Sequence, residues 1–135
     1  MKFLCIYKPA DTKKSEAGIP PSPQEIAKMG EFCEEMAKAG VLLATEGCMP
    51  TSKGARLRLS AGKFTVTDGP FTESKELIAG FALLQTQSKQ EAIDLTRRFL
   101  KVAGDGECEI RQIFEAGDCA QAASYAHDTI AATAR

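Results

Sequence analysis

Apolar and polar positions along this chain alternate in segments of different period, and each period predicts an element. Residues 2–8 place Phe3, Cys5 and Tyr7 on one side of an extended segment and Leu4 and Ile6 on the other, which predicts a strand covered on both faces. Residues 9–21 hold Pro9, Gly18, Pro20 and Pro21 among polar side chains and predict a loop. Ser22-Pro23-Gln24-Glu25 then offers a capping serine, a proline suited to the first helical position and a glutamate three residues after the cap. Ile26, Met29, Cys33 and Met36 follow as one apolar stripe at helical spacing, and Gly40 is the expected stop.

Val41 to Thr45 reads as a second strand. Residues 55–59 and 63–67 alternate in period two around Ser60-Ala61-Gly62, which predicts a hairpin with one wet face. Asp68-Gly69-Pro70 ends it as a turn. A short segment, Thr72 to Leu77, has some helical character, and Ile78 to Thr86 is another strand without a polar face. Ser88-Lys89-Gln90-Glu91 repeats the capping signature and opens a helix that buries Ala92, Leu95, Thr96, Phe99 and Ala103. Glu107 to Phe114 is the last strand, with Cys108, Ile110 and Phe114 inward. Residues 117–135 form an Ala-rich tail, either a docked helix or partly disordered.

The order is β-α-β-hairpin-β-α-β, the ferredoxin-like α+β arrangement of a split βαβ unit with an added hairpin. Its two central strands should be the two that lack a polar face, 2–8 and 78–86. Helices cover one side of such a sheet only. The Leu4–Ile6 side therefore needs another cover, and a second copy of the sheet is the simplest.

Composition narrows the function classes. A chain of 135 residues makes one domain with a core that needs no staples. Lys plus Arg is 17 against 18 for Asp plus Glu, a balance that argues against nucleic acid as a partner. No apolar run approaches the ~20 residues of a membrane span, and the apolar start is too short for a signal-peptide core. Five cysteines without a C-x-x-C spacing fit a reducing cytoplasm, and the one histidine, His127, leaves little material for a metal site or a triad. Neither metal nor cofactor is expected.

Thr67-Asp68-Gly69-Pro70-Phe71-Thr72-Glu73-Ser74-Lys75-Glu76, followed by Ile78-Ala79-Gly80-Phe81, resembles the signature of the DGPF branch of the YCII-related family. Lys2 to Tyr7, Ala39-Gly40-Val41-Leu42-Leu43 and Glu109-Ile110-Arg111-Gln112-Ile113 match in register, so the resemblance spans residues 1–116. It implies a bacterial, ferredoxin-like domain that dimerises face to face into an α+β barrel. Smaller members of the family carry a His–Asp pair proposed as a catalytic dyad, with the histidine in the first helix. Here that helix offers Met29, Cys33 and Met36 and no histidine, so the dyad does not carry over and the case for an enzyme weakens.

The candidate groups are each open to two readings. Asp68, where a strand gives way to a loop, suits a general base or a cation-binding carboxylate, or an acceptor for turn amides after Pro70. Glu73 and Lys75 suit ligand binding beside Asp68, or a solvated surface with weak ion pairs. Tyr7 and Glu46 end strands, where ligand-facing groups gather, or are satisfied rim residues. Cys5 and Cys33 read as small hydrophobes, and Cys48 is the thiol expected to be exposed. Arg56 and Arg58 point the same way and either bind an anion or guard an edge. The reading as a whole is a cytoplasmic homodimer that binds a small molecule or serves a regulatory interaction. Its alternatives are a cofactor-independent enzyme with Asp68 as acid or base, and an accessory protein. Two of Asp68, Glu46 and Tyr7 converging in one pocket would favour the enzyme.

Overall fold

The structure is a computed structural model and describes residues 1–71 and 76–118. The elements are β1 (Lys2–Pro9), α1 (Thr12–Glu16), α2 (Pro23–Lys38), β2 (Leu42–Gly47), β3 (Ala55–Ser60), β4 (Lys63–Asp68), β5 (Gly80–Gln85), α3 (Lys89–Ala103) and β6 (Gly106–Gln112). Four strands form an antiparallel sheet in the order β2-β5-β1-β6, which makes β1 and β5 central, as their two-faced sequences require. This is the ferredoxin-like arrangement. β3 and β4 pair only with each other, as a separate two-stranded sheet.

The caps fall where the sequence places them. The Ser22 hydroxyl accepts from the Glu25 N–H at 3.2 Å and opens α2, and the Ser88 hydroxyl accepts from the Glu91 N–H at 3.1 Å and opens α3. The Glu91 carboxylate turns back to accept from the Gln87 N–H at 2.7 Å. Both helices lie on one face of the sheet. The Cys5 thiol meets the Thr96 hydroxyl of α3 at 3.6 Å, and the Tyr7 ring packs edge-on against Phe99 with centroids 5.3 Å apart. The core is Phe3, Cys5, Leu84 and Ala92, with Leu42, Ala82 and Ile110 packed against it.

Three expectations need correction. The loop over 9–21 contains a short helix, α1, whose first turn is held by the Asp11 carboxylate accepting from the Lys14 N–H at 3.0 Å. Proline and glycine crowd the ends of that segment and hid the five residues between them. The hairpin has no dry face among the described residues, because every position of β3 and β4 is exposed. Phe114 is not an inward strand residue: pairing stops at Gln112, and the Phe114 side chain is 72 % exposed. The Thr72–Leu77 segment lies largely outside the described residues, and the 117–135 tail almost wholly so.

Candidate functional site

On β2 and β5 the helix-facing side chains shrink from one end of the sheet to the other. Strand pairing aligns them in three rungs: Leu42, Leu84 and Phe3; then Thr45, Ala82, Cys5 and Ile110; then Gly47, Gly80, Tyr7 and Cys108. The first rung fills the space under the helices. In the third, two glycines leave the sheet surface bare beside the Tyr7 ring. Gly80 is held to that size by β2, since a Cβ there would lie 2.9 Å from the Glu46 carbonyl oxygen. Gly106 admits the Tyr7 ring itself, which passes 2.7 Å from the position of an added Cβ.

Helix α2 spans this slope without following it down. Met36 is buried over the large end, Met29 and Cys33 are half-buried, and Ile26, nearest the small end, is 56 % exposed. A cavity of about 870 Å³ opens between them, floored by Thr45, Gly47, Gly80 and Ala82 and roofed by Ile26 and Met29. That volume suits a drug-sized ligand. Its lining is mainly apolar, with Asp11, Lys14, Glu25, Glu46 and Asp105 among the polar residues that border it. The Tyr7 hydroxyl reaches the carbonyls of Asp105 and Gly104 at 3.4 and 3.5 Å, at the long limit of a hydrogen bond. Burial, reinforced by Cys108 and Asp105, raises the phenol's pKa, so it remains a protonated donor at neutral pH. The Thr45 hydroxyl is already committed to the Phe81 carbonyl at 2.9 Å.

Three cavity-lining thiols are uncharged at neutral pH. Burial raises Cys5 against the lowering hydrogen bond from Thr96, and burial alone raises Cys33. Cys108 is pushed up to about 11 by burial, with Cys5 and Glu107 adding to it. They are small apolar groups here, as the sequence suggests for Cys5 and Cys33, and none is an activated nucleophile.

The candidate residues are not gathered at one place. Tyr7 is on the cavity wall. Glu46 borders it from the edge strand, and the register sets Glu46 across from Phe81, on the sheet face turned away from the helices. Asp68 is at the end of β4, paired across the hairpin with Ala55, and lies outside the cavity lining. Glu73 and Lys75 lie outside the described residues. Cys48 is exposed, as expected. Among the described residues no group of three His, Cys, Asp or Glu side chains could hold a metal ion, and no helix is long and apolar enough to cross a membrane.

The segment after Asp68 has a structural task of its own. A Cβ on Gly69 would lie 1.6 Å from the Thr51 carbonyl oxygen, so only glycine fits there, and the Gly69–Pro70 peptide is cis. The Phe71 N–H donates to the Thr51 hydroxyl oxygen at 3.0 Å, and the Arg56 guanidinium stacks 4.1 Å above the Phe71 ring. The first amide after Pro70 is thereby taken by Thr51, not by the Asp68 carboxylate. Arg56 is a partner of Phe71 and Arg58 a solvated hairpin residue. Sequence inspection passed over Thr51 and the glycines of the cavity floor. The readable signal was glycine at the helix-facing positions of two strands otherwise rich in large apolar residues.

Comparison with known proteins places residues 1–127 in the YCII-related domain. An uncharacterised protein of Rhizobium meliloti (strain 1021) is 45 % identical over 60 residues, which are 44 % of this chain and 48 % of that protein. The chain thus matches about half the length of that curated relative. Among solved structures, the 5-chloro-2-hydroxyhydroquinone dehydrochlorinase TftG from Burkholderia phenoliruptrix AC1100, in complex with 2,5-dihydroxybenzoquinone, is similar over 85 % of this chain and 95 % of that one, with a TM-score of 0.47 and 14 % identity.

Proposed function

The chain belongs to the YCII-related family, and from that premise we propose that it binds a small, largely apolar molecule between its sheet and α2, as a cytoplasmic homodimer. One observation carries the reading: the about 870 Å³ cavity left by Gly47, Gly80 and Ala82 under a helix that does not close over them. A filled core there would bury more apolar surface and be more stable, so the open space is a cost to stability that a bound molecule would offset. The lining selects the ligand class. Apolar side chains dominate, the thiols are neutral, and the Tyr7 hydroxyl is the polar group able to orient a ligand from the floor. A planar or ring-bearing molecule with one hydrogen-bond acceptor fits that description.

The alternative, an enzyme with Asp68 as acid or base, has less support. Tyr7 and Glu46 border the cavity without a hydrogen bond between them, and Asp68 is not with them. The open side of the sheet, with Leu4, Ile6, Phe81 and Leu83, supports the homodimer.

A thermal-shift screen of bacterial metabolites and simple aromatic compounds tests the binding. A true ligand at 100 times its dissociation constant stabilises the fold by ~2.7 kcal/mol. Ala82→Leu, which fills the floor, should abolish that response while the protein stays folded. A response that Ala82→Leu leaves intact would overturn the cavity as the binding site.

A further inference from the structure

Residues 10–21 wall the cavity but are lightly fixed to the rest of the molecule. Asp11, Lys14, Ser15, Ile19 and Pro21 all border the space, yet α1 buries none of its side chains. Among the described residues, two hydrogen-bonded points hold the segment. At its start the Ala10 N–H donates to the Asp105 carbonyl at 3.0 Å, the same carbonyl that the Tyr7 hydroxyl reaches. At the end of α1 the Glu16 carboxylate accepts from the Thr51 N–H at 3.0 Å and from the Thr51 hydroxyl. The chain then turns at Gly18, whose φ of +69° strains any other residue, and Pro20 and Pro21 stiffen the run to the Ser22 cap of α2.

The two points differ in kind. Ala10 follows directly on the last β1–β6 pair, Pro9 with Gly106, so that end is an extension of the sheet. The Glu16 end is a side-chain clip onto the turn between β2 and β3. Exchanging its hydrogen bonds for bonds to water frees α1 without bringing any buried side chain of α1 into solvent. Such an opening is much cheaper than unfolding the sheet.

We propose that residues 10–21 are a gate on the cavity, held shut by the clip between Glu16 and Thr51, and that molecules enter and leave when it opens. The gate rests on the cavity as the binding site and adds to it a route of access. Ile19 on the gate and Ile26 on α2 both border the cavity and are 58 and 56 % exposed, so the passage has apolar edges suited to an apolar ligand. The Thr51 hydroxyl oxygen also accepts from the Phe71 N–H at 3.0 Å, which fixes the threonine that holds the gate.

Thiol labelling tests the gate without a ligand. The full chain and its Glu16→Ala, Thr51→Ser and Ser88→Ala variants are treated with iodoacetamide at pH 7.5, and peptide mass spectrometry follows Cys108 and Cys5. Cys108 pairs with Tyr7 at the gated end, whereas Cys5 is buried against Thr96 of α3 and reports opening of the core. Glu16→Ala should speed Cys108 roughly tenfold or more relative to Cys5. Thr51→Ser keeps the hydroxyl and should keep the slow rate. Ser88→Ala removes the α3 cap, far from the clip, and should leave the ratio of the two rates unchanged. Equal acceleration of Cys108 and Cys5 in Glu16→Ala overturns the gate, since the clip then supports only the fold as a whole. An unchanged Cys108 rate also overturns it and places the way in elsewhere. Neither result touches the binding reading, which the thermal shift and Ala82→Leu decide without any labelling.

Discussion

Thr51 presents both its backbone N–H and its hydroxyl to the carboxylate of Glu16, at 3.0 and 2.5 Å. The same hydroxyl oxygen accepts from the Phe71 N–H, so one threonine ties α1 to the Gly69-Pro70-Phe71 segment that follows the hairpin. Within the most family-like stretch of the sequence, Gly69-Pro70-Phe71 is therefore a fastening. Two substitutions should show this. Thr51→Val leaves the Phe71 amide without its acceptor and should cost about 1–2 kcal/mol. Gly69→Ala drives a methyl group into the Thr51 carbonyl and should cost about 3 kcal/mol or more. Both are read by denaturant unfolding. A Gly69→Ala protein of native stability would show that the loop can move aside.

Stability should be greatest between about pH 5 and pH 9. At the acid end, hydrogen bonds from the Thr51 hydroxyl and N–H hold Glu16 below its ordinary value of 4.5, and Arg111, followed by Lys8, does the same for Glu109. A depressed carboxylate contributes stability above its unfolded value and loses it as pH falls through the folded one. At the alkaline end Cys108, pushed from 9.0 up to about 11 by burial, contributes below pH 9 and loses that contribution as the pH rises through 11. Tyr7, raised by burial, and Lys8, raised by its bond to Glu76, add losses above 10 in the same direction. Melting temperature against pH tests this, and Glu16→Gln should flatten the acid limb only.

Most of the fold could be read from the strands and caps. The two-faced apolar character of residues 2–8 and 78–86 located the centre of the sheet, because an outer strand of this length would have shown a polar side. The cavity could not be read the same way. Ile26, Met29, Cys33 and Met36 form a proper helical stripe, and a stripe says which side faces inward but not how far the floor beneath it drops. That depth depends on Gly47, Gly80 and Tyr7 becoming neighbours, which strand pairing decides and local sequence does not. The hairpin misled for a related reason: alternation reports an apolar face, whether or not the same chain covers it.

Thiol labelling should separate the cysteines sharply. Cys48 is exposed, whereas Cys5 is buried, Cys33 and Cys108 are half-buried, and burial raises the pKa of all three. Alkylation follows the thiolate fraction and access. With iodoacetamide at pH 7.5, Cys48 should therefore be modified first among the four cysteines of the described residues, and Cys5, Cys33 and Cys108 on the timescale of unfolding or cavity opening. Peptide mass spectrometry gives the order, and early modification of Cys108 would contradict the enclosed, uncharged state described for it. A cavity ligand should slow Cys33 and Cys108 further and leave Cys48 unchanged.

Asp68 separates the binding and enzymatic readings. Its carboxylate is exposed and has no hydrogen-bond partner among the described residues, and the Phe71 amide after the proline is occupied by Thr51. A carboxylate in that situation contributes little to folding, so Asp68→Asn and Asp68→Ala should each change stability by under ~0.5 kcal/mol. It also lies off the cavity lining, so neither variant should alter the thermal shift produced by a ligand that Ala82→Leu excludes. Tyr7→Phe is the informative contrast, since it keeps the ring against Phe99 and removes only the hydroxyl at the floor. It should weaken a ligand with a matching acceptor by roughly tenfold, the worth of one net hydrogen bond of about 1.4 kcal/mol. Loss of ligand response in Asp68→Asn, with Tyr7→Phe unaffected, would reverse the assignment and move the chemistry to the hairpin.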